Sequence, residues 1–550
     1  MRLAILAGLL SSFAALSAPP PSPTSSAEKM PDREGHTRPS RIGREVSINR
    51  HLEDGEEQNV PLANLLEHGK RLFMANWTEQ EGAGRPLTKG NGRALSDPGS
   101  PLTGHRAFNR VSGPDANSCY GCHNQPFGVA GGGGDFVTNV FLLGQRFDFA
   151  TFDPSDKIAT RGSVDESGTH VNLSTVANQR SSTGMFGSGF IEMLAREMTA
   201  DLQAVRDTIK LGQTKKLVSK GISFGELTRK ADGNWDMSKV TGLPRASIVA
   251  PLPMDRPNLI VRPWHQAGNV VSLREFSNTA FNQHHGMQTT ERFGLDTDPD
   301  GDGFTNELTR ADITAISMFQ AAMAVPGRRI PKEPEIEQAV LTGEDRFAKW
   351  GCASCHVPQL ALSRSGTTYT EPSPYNLPMN TRPGEAQPVS MDLNSQALPQ
   401  PRLQADKDGI TWVAAYTDLK LHDIALPGPE GTEKLDMNQT TWTERFYQGN
   451  RRFLTKRLWG AANEPPYFHH GLFTTMREAV LNHFSEADDS RKQFIAATPY
   501  EQDSLIEFLK SLQVLPPGTR STIVDENDQP RAWPPENAAE LLTAAAALQR

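Results

Sequence analysis

The chain has 550 residues, with 64 acidic and 56 basic side chains and a formal net charge of −8 at pH 7. Because charges of both signs are interspersed, nothing favours nucleic acid or a membrane surface as a partner. Glycine (46) and proline (40) are frequent, and aromatic residues make up only 7%. We therefore expect long loops and modest helices, in a chain long enough for two or three domains.

The first 18 residues have the pattern of a secretory signal peptide. Arg2 supplies positive charge, and the apolar run over residues 3–16 ends in small residues that a signal peptidase accepts. That run is too short to span a bilayer, and no later segment is apolar enough to do so. We predict an exported, periplasmic protein without a membrane span. Residues 19–60 are rich in Pro, Ser, Glu and Arg without periodicity, which is typical of a disordered leader.

Apolar residues at helical spacing predict seven helices along the rest of the chain. They cover residues 61–76, 186–211, 311–324, 336–350, 476–484, 499–512 and 537–548. Short strands and turns are expected over 215–262. Residues 367–401 are rich in Pro, Ser and Asn, and we expect them to form a long ordered loop.

Every cysteine of the chain belongs to one of two copies of the pattern Cys-x-x-Cys-His. The six residues are Cys119, Cys122, His123, Cys352, Cys355 and His356. In a c-type haem site the two thiolates bond to the porphyrin and the histidine ligates the iron. Cysteine pairs of this spacing also occur in redox disulfides and zinc sites, but neither explains a histidine directly after both pairs. We predict two covalently bound haem c groups.

An acidic cluster between the two motifs predicts a separate cation site. The candidate ligands are Asp296, Asp298, Asp300, Asp302 and Glu307. Alternating carboxylates, a glycine and a glutamate at the twelfth position fit a calcium loop, and a shifted frame from Asp298 to Asn306 fits a shorter one. Carboxylates this close together repel strongly unless a cation neutralises them. We predict a bound calcium ion with a structural role, the alternative being an acidic solvated turn.

Several separated motifs carry a resemblance to a known family. They are Phe108-Asn109-Arg110, Gly113–Ser118, Leu273–Phe276, His284–Gln288, Trp459-Gly460, Pro465–Gly471 and Thr475–His483. Over residues 105–515 the chain resembles bacterial di-haem cytochrome c peroxidases and MauG-type enzymes. It is closer still to their larger relatives, the di-haem oxidoreductases sometimes called thiol oxidoreductases.

The resemblance implies a mainly α fold with two cytochrome c-like haem domains, the first enlarged by an insertion that contains short β-strands. The expected organisation is a signal peptide at 1–18, a leader at 19–60, an N-terminal haem domain at 61–325, a C-terminal haem domain at 326–515 and a polar tail with a terminal helix at 516–550.

The resemblance also implies a division of labour between the two haems. The first would react with peroxide, oxygen or another small oxidant, while the second would exchange electrons with an unknown partner. The family's distal ligand position at the second haem falls on His483, so we expect His356 and His483 to ligate that iron together. His422, His469 and His470 are the competing histidines. A histidine in place of the methionine common in the peroxidases would lower the reduction potential.

At the first haem the resemblance implies a carboxylate beside the reactive face. Glu192 lies 69 residues beyond His123, in roughly the family's position, with Glu197 as an alternative. A carboxylate can exchange the protons that peroxide chemistry requires. Arg180 is a candidate for the distal pocket or for a haem propionate, and Trp264 for an electron relay, although tryptophans more often pack in cores.

These features together predict a peroxidase-like, periplasmic di-haem c-type oxidoreductase. Two alternatives remain open. One is an electron-transfer cytochrome in which both irons carry two protein ligands, so that neither can react with an oxidant. The other is an oxygen-dependent enzyme that oxidises an organic or protein substrate.

Overall fold

The computed structural model describes residues 42–83, 118–133, 140–143, 177–249, 252–298, 303–431 and 451–548. Glu45–Arg550 pack as one unit. The predicted signal peptide and most of the leader lie outside the described residues. Within the described ranges, no helix combines the length and the apolar character needed to cross a membrane.

Twelve α-helices are present in the described ranges. They are α1 (Leu62–Met74), α2 (Cys119–Cys122), α3 (Ser188–Asp207), α4 (Arg245–Ile248), α5 (Leu273–Ala280), α6 (Thr290–Phe293), α7 (Arg310–Ala321), α8 (Pro334–Lys349), α9 (Met476–Leu481), α10 (Asp488–Ala496), α11 (Pro499–Ser511) and α12 (Ala538–Leu548). One wide π-helical turn, Phe281–His285, continues α5.

The strands form small, mostly antiparallel groups. They are β1 (Val140–Leu143), β2 (Ala177–Arg180), β3 (Gln213–Ser219), β4 (Ile222–Arg229), β5 (Trp235–Asp236), β6 (Gly327–Arg329), β7 (Leu360–Leu362), β8 (Thr368–Glu371), β9 (Val389–Asp392), β10 (Thr411–Val413), β11 (Leu421–Asp423), β12 (Arg452–Leu454), β13 (Leu512–Gln513) and β14 (Ile523–Val524). Three-stranded sheets have the orders β3-β4-β5 and β13-β6-β14, and the remaining strands pair two by two.

The expectation of a mainly α fold is wrong. Helices make up 35% and strands 14% of the structure, which is a mixed α and β architecture. The strands that the sequence did not reveal lie mainly in the proline-rich second half, where β7 pairs with β10, β8 with β9 and β11 with β12. Backbone polar groups that are buried under such loops need hydrogen-bond partners, and short antiparallel pairs supply them.

The seven predicted helices are confirmed, with ends that differ by a few residues, whereas α5, α10 and the one-turn helices α2, α4 and α6 were missed. In α5 the buried side chains include Arg274, Glu275 and Asn278. An apolar face is the signal by which a sequence reveals a helix, and a helix that buries charged side chains carries little of it.

Helix α1, which precedes the first Cys-x-x-Cys-His motif in the chain, packs across α7. A Cβ atom added at Gly69 would overlap the backbone carbonyl of Ala315, so the two backbones touch at this point. One turn further along, the ring of Phe73 meets that of Phe319 edge-on, with centroids 5.6 Å apart. We call this pair the first crossed-helix unit.

Helices α8 and α11 repeat this arrangement, and α8 leads directly into the second motif. A Cβ atom at Gly343 would overlap the carbonyl of Ser504, and Phe347 meets Phe508 one turn later, with ring centroids 5.1 Å apart. Glycine and phenylalanine are four residues apart in both leading helices. This second crossed-helix unit is therefore built on the same contacts as the first. In the sequence we had recognised only the repeat of the two Cys-x-x-Cys-His motifs.

The pair β8–β9 occupies the segment expected to be a loop over the second motif. Tyr369 and Met391 from this pair belong to the large apolar core that also contains Phe190 of α3. Glu371 at the end of β8 is fully buried there. The segment thus packs against the first half of the chain.

Candidate functional site

The first motif forms one helical turn, α2, followed directly by His123. The Nδ1–H of His123 donates a hydrogen bond to the carbonyl of Gly132 over 3.1 Å. Desolvation lowers the pKa of His123, so its ring is neutral at pH 7. A neutral imidazole with Nδ1 hydrogen-bonded to a carbonyl keeps Nε2 as a metal ligand.

The second motif holds its histidine in the same way. The Nδ1–H of His356 donates to the carbonyl of Tyr416 over 3.2 Å, and desolvation lowers the pKa of His356. The ring of Phe347 lies 6.3 Å from that of His356, and that of Phe73 lies 6.2 Å from that of His123. Both motifs therefore present a neutral, oriented imidazole beside the phenylalanine of a crossed-helix unit.

His483 faces the histidine of the second motif. The two ring centroids are 6.4 Å apart, and the Nδ1–H of His483 donates to the carbonyl of Ala479 over 2.7 Å. Desolvation, with a contribution from His356, lowers the pKa of His483 to about 4. Two imidazoles on opposite sides of one metal ion, each with a metal–nitrogen distance of about 2 Å, have centroids roughly 6 Å apart. The pair thus fits a single metal ion.

His422, a competing histidine, is held by carboxylates. Its Nε2 lies 2.8 Å from Asp418 and its Nδ1 2.8 Å from Glu486. Although burial opposes a charge, hydrogen bonds to Asp418, Cys355 and Glu486 raise the pKa of His422 to about 11. The ligand atoms of Cys355, Asp418 and His422 lie within 4.8 Å of one another, but a protonated imidazole cannot ligate a metal.

The other two competitors, His469 and His470, belong to an aromatic cluster beside His483. The ring of His469 stacks on Phe453 at 3.6 Å, and Nδ1 of His470 accepts a hydrogen bond from the backbone of Leu472. Phe468 meets the ring of His483 edge-on at 5.4 Å. The cluster thus packs against one side of His483.

Glu192 lies fully buried in a network of charged side chains. Its Oε1 accepts from Arg196 over 2.6 Å, and its Oε2 accepts from the backbone of Leu273 over 2.7 Å and from Tyr369 over 3.5 Å. Burial raises the pKa of Glu192. The network continues through Glu371, Arg274 and Glu291. In the described part of the chain, the hydrogen bonds of Glu192 all belong to this network.

Of the other predicted residues, Glu197 is paired with Lys220. Arg180 stands opposite Val140 in the β1–β2 pair, and only its backbone is described.

Trp264 is buried against a segment that lies near both motif histidines. The guanidinium of Arg457 sits over its ring, 5.5 Å from the centroid, and donates a hydrogen bond to the carbonyl of Gly184. The charge of Arg457 acts on the pKa of His123, while a backbone hydrogen bond involving Lys456 acts on that of His356. Trp264 therefore contacts Arg457, and the segment formed by Lys456 and Arg457 lies near both motif histidines.

Part of the predicted calcium loop falls outside the described residues, including Asp300 and Asp302. Asp296 accepts a hydrogen bond from Asn306 over 2.7 Å, and Asp298 accepts from the backbone of Gly303 over 2.9 Å. Glu307 is buried, and one of its oxygens accepts from the backbone of Gln288 over 2.7 Å. The calcium site stays a prediction.

The sequence did not reveal a polar group that the π-helical turn carries to the first motif. Nε2 of His285 lies 3.5 Å from Sγ of Cys119. Asn282 and Gln288 are buried, and their side-chain amides have no hydrogen-bond partner among the described residues. π-helical turns occur frequently at functional sites, and unpartnered buried amides indicate that a polar group binds there.

Neither the models of known protein families nor the curated proteins include a match to this chain.

Proposed function

We propose that the chain is an exported di-haem c-type oxidoreductase with peroxidase-like activity. The observation that carries the proposal is the spacing of His356 and His483, which suits one metal ion held directly beside a Cys-x-x-Cys-His motif. The resemblance to the di-haem peroxidases and their larger relatives supports the same conclusion.

The residues of both motifs have the chemistry that haem c requires. Cys119 and Cys122 would bond to the first porphyrin, with His123 as the iron ligand. Cys352 and Cys355 would do so at the second, with His356 and His483 as the iron ligands. When bound, haem supplies an iron that exchanges electrons and, where one coordination position stays open, binds a small oxidant.

At the first motif we assign the binding of the oxidant to the polar group formed by the π-helical turn and by Gln288, which follows it. The amides of Asn282 and Gln288 offer both donors and acceptors in a buried setting, which suits a small polar molecule such as hydrogen peroxide. His285, next to Cys119, is a neighbouring group that can exchange a proton.

Glu192 is a candidate catalytic residue because burial raises its pKa, as is typical of a carboxyl group that exchanges protons in a reaction. Its ion pair with Arg196 supports a purely structural role. Turnover of hydrogen peroxide by Glu192→Gln separates these roles. A catalytic role predicts a loss of about 100-fold in kcat, and a structural role predicts lower thermal stability with kcat unchanged.

Electrons would pass between the motifs along the segment beside Trp264. The cation of Arg457 over the indole ring disfavours a positive charge on that ring. Trp264 would therefore help transfer as a packed bridge, without itself being oxidised.

The deciding experiment combines a mass spectrum with a ferric absorption spectrum of protein made in a host that attaches c-type haem. We expect the mass of two haem groups above that of the processed chain, and one high-spin iron that binds cyanide beside one low-spin iron. A mass without haem contradicts the proposal. Two low-spin irons that do not bind cyanide would favour the electron-transfer cytochrome, the function that the facing pair of His356 and His483 would support on its own.

A further inference from the structure

Arg402 is a buried cation with unused hydrogen-bond donors. It is only 3% exposed, and its Nη2 donates to the carbonyls of Ala322 over 2.5 Å and Pro399 over 2.8 Å. Its Nε and Nη1 have no hydrogen-bond partner among the described residues. Two donor nitrogens of a buried positive charge, which carry three N–H bonds, are thus left without a partner among the described residues.

Two buried arginines of the first half, Arg196 and Arg274, have carboxylate partners. Arg196 pairs with Glu192, and Arg274 pairs with Glu291 and Glu371. Arg402 makes no ion pair among the described residues, and desolvation lowers its pKa to about 10. A buried guanidinium without a counterion is costly, and the two carbonyls together with the Phe190 ring 5.9 Å away replace only part of its lost hydration.

The position of Arg402 connects it to the first motif. The residue after Ala322 is Met323, whose sulfur contacts Gly131 so closely that a Cβ there would overlap it. The backbone N–H of Gly131 donates to the carbonyl of His123 over 3.0 Å. Three residues, Ala322, Met323 and Gly131, therefore lie between Arg402 and the histidine of the first motif along this path of contacts.

We propose that Arg402 binds a carboxylate through its unused N–H groups, and that a propionate of the first haem supplies it. A carboxylate is the anion that guanidinium groups bind most commonly in buried sites. The inference rests on the proposed function for the source of the carboxylate. A free organic acid would offer the same chemistry and is distinguished by experiment.

The test uses spectroelectrochemical titration of the holoprotein carrying Arg402→Gln or Arg402→Lys. We expect Arg402→Gln to lower the midpoint potential of the high-spin haem alone, because a nearby cation favours the reduced iron. Arg402→Lys keeps the charge and should retain most of the wild-type potential. Arg382→Gln, which removes an exposed arginine paired with Glu385, is the control and should leave both potentials unchanged.

A second measurement tests whether Arg402 binds a free carboxylate, and it can be made on the wild type even if a variant folds poorly. Acetate and benzoate are titrated into the wild type, Arg402→Lys and Arg402→Gln by calorimetry. Saturable binding that Arg402→Gln abolishes, with haem potentials unchanged, supports a free acid as the source. Unchanged potentials together with no carboxylate binding overturn the proposal. A wild-type mass without haem would instead contradict the proposed function, and the calorimetric result would still decide whether Arg402 binds a carboxylate.

Discussion

The two crossed-helix units share a scaffold and differ in what faces their motif histidines. Both place a glycine against a backbone carbonyl and a phenylalanine one turn later, and both orient the histidine through Nδ1. The second unit adds a facing imidazole, His483. Near the first, the π-helical turn brings polar side chains instead. Under the proposed function, one scaffold would thus support two kinds of iron site, and the residues outside it would decide which kind forms.

The side chains around the two units also differ in polarity. Beside His483 lies the ring of Phe468, in an aromatic cluster in which Phe453 stacks on His469. Such rings exclude water and favour a neutral imidazole pair. The large core of the first half instead contains a network of buried charges that includes Glu192 and Arg274. We infer that the second environment suits electron transfer and the first suits proton-coupled chemistry.

The largest expected effect follows from removing the thiols of one motif at a time. Cys119→Ala with Cys122→Ala should abolish covalent haem at the first motif and leave one haem by mass. Cys352→Ala with Cys355→Ala should leave the other. The remaining haem should be low-spin in the first variant and high-spin in the second. Identical spectra from the two variants would contradict the difference between the sites.

The shared scaffold is tested by filling the helix contacts. Gly69→Val and Gly343→Val each place side-chain atoms against a backbone carbonyl, and backbone cannot move aside cheaply, so we expect each to lose about 3 kcal/mol or more in the free energy of unfolding. Ala63→Val and Ala348→Val, at exposed positions of the same helices, are the matched controls and should lose less than about 1 kcal/mol. Equal losses in variant and control would mean that the crossings do not stabilise the units.

The difference between the sites is tested by removing the facing imidazole. His483→Ala opens the second iron, so a low-spin signal should become high-spin and cyanide should bind at both haems. His470→Ala, in the neighbouring aromatic cluster, is the control and should keep the low-spin signal. A low-spin spectrum that survives His483→Ala would assign the ligand to another residue.

The sequence predicted the parts of this comparison that local patterns carry. Helices α1 and α8 have regular apolar spacing, and the two motifs are contiguous, so both were found. The contact of Gly69 with Ala315 joins residues far apart in the chain, and no local pattern reports it. Likewise, α5 was missed because it buries Arg274 and other polar side chains whose partners come from distant segments. The resemblance pointed to His483, yet only the fold brings it opposite His356.

The smallest expected effect concerns His422, which lies beside the second motif as an imidazolium. Because its folded pKa is raised from 6.5 to about 11, its ion pairs stabilise the fold fully below pH 6.5 and lose that effect as the pH rises toward 11. We expect the wild type to lose about 1–2 kcal/mol relative to His422→Gln across this range, since the half-exposed Glu486 is screened by solvent. Urea unfolding at several pH values measures the difference. A stability difference that does not change with pH would mean that His422 is neutral, and it would then return as a rival of His483 for the second iron.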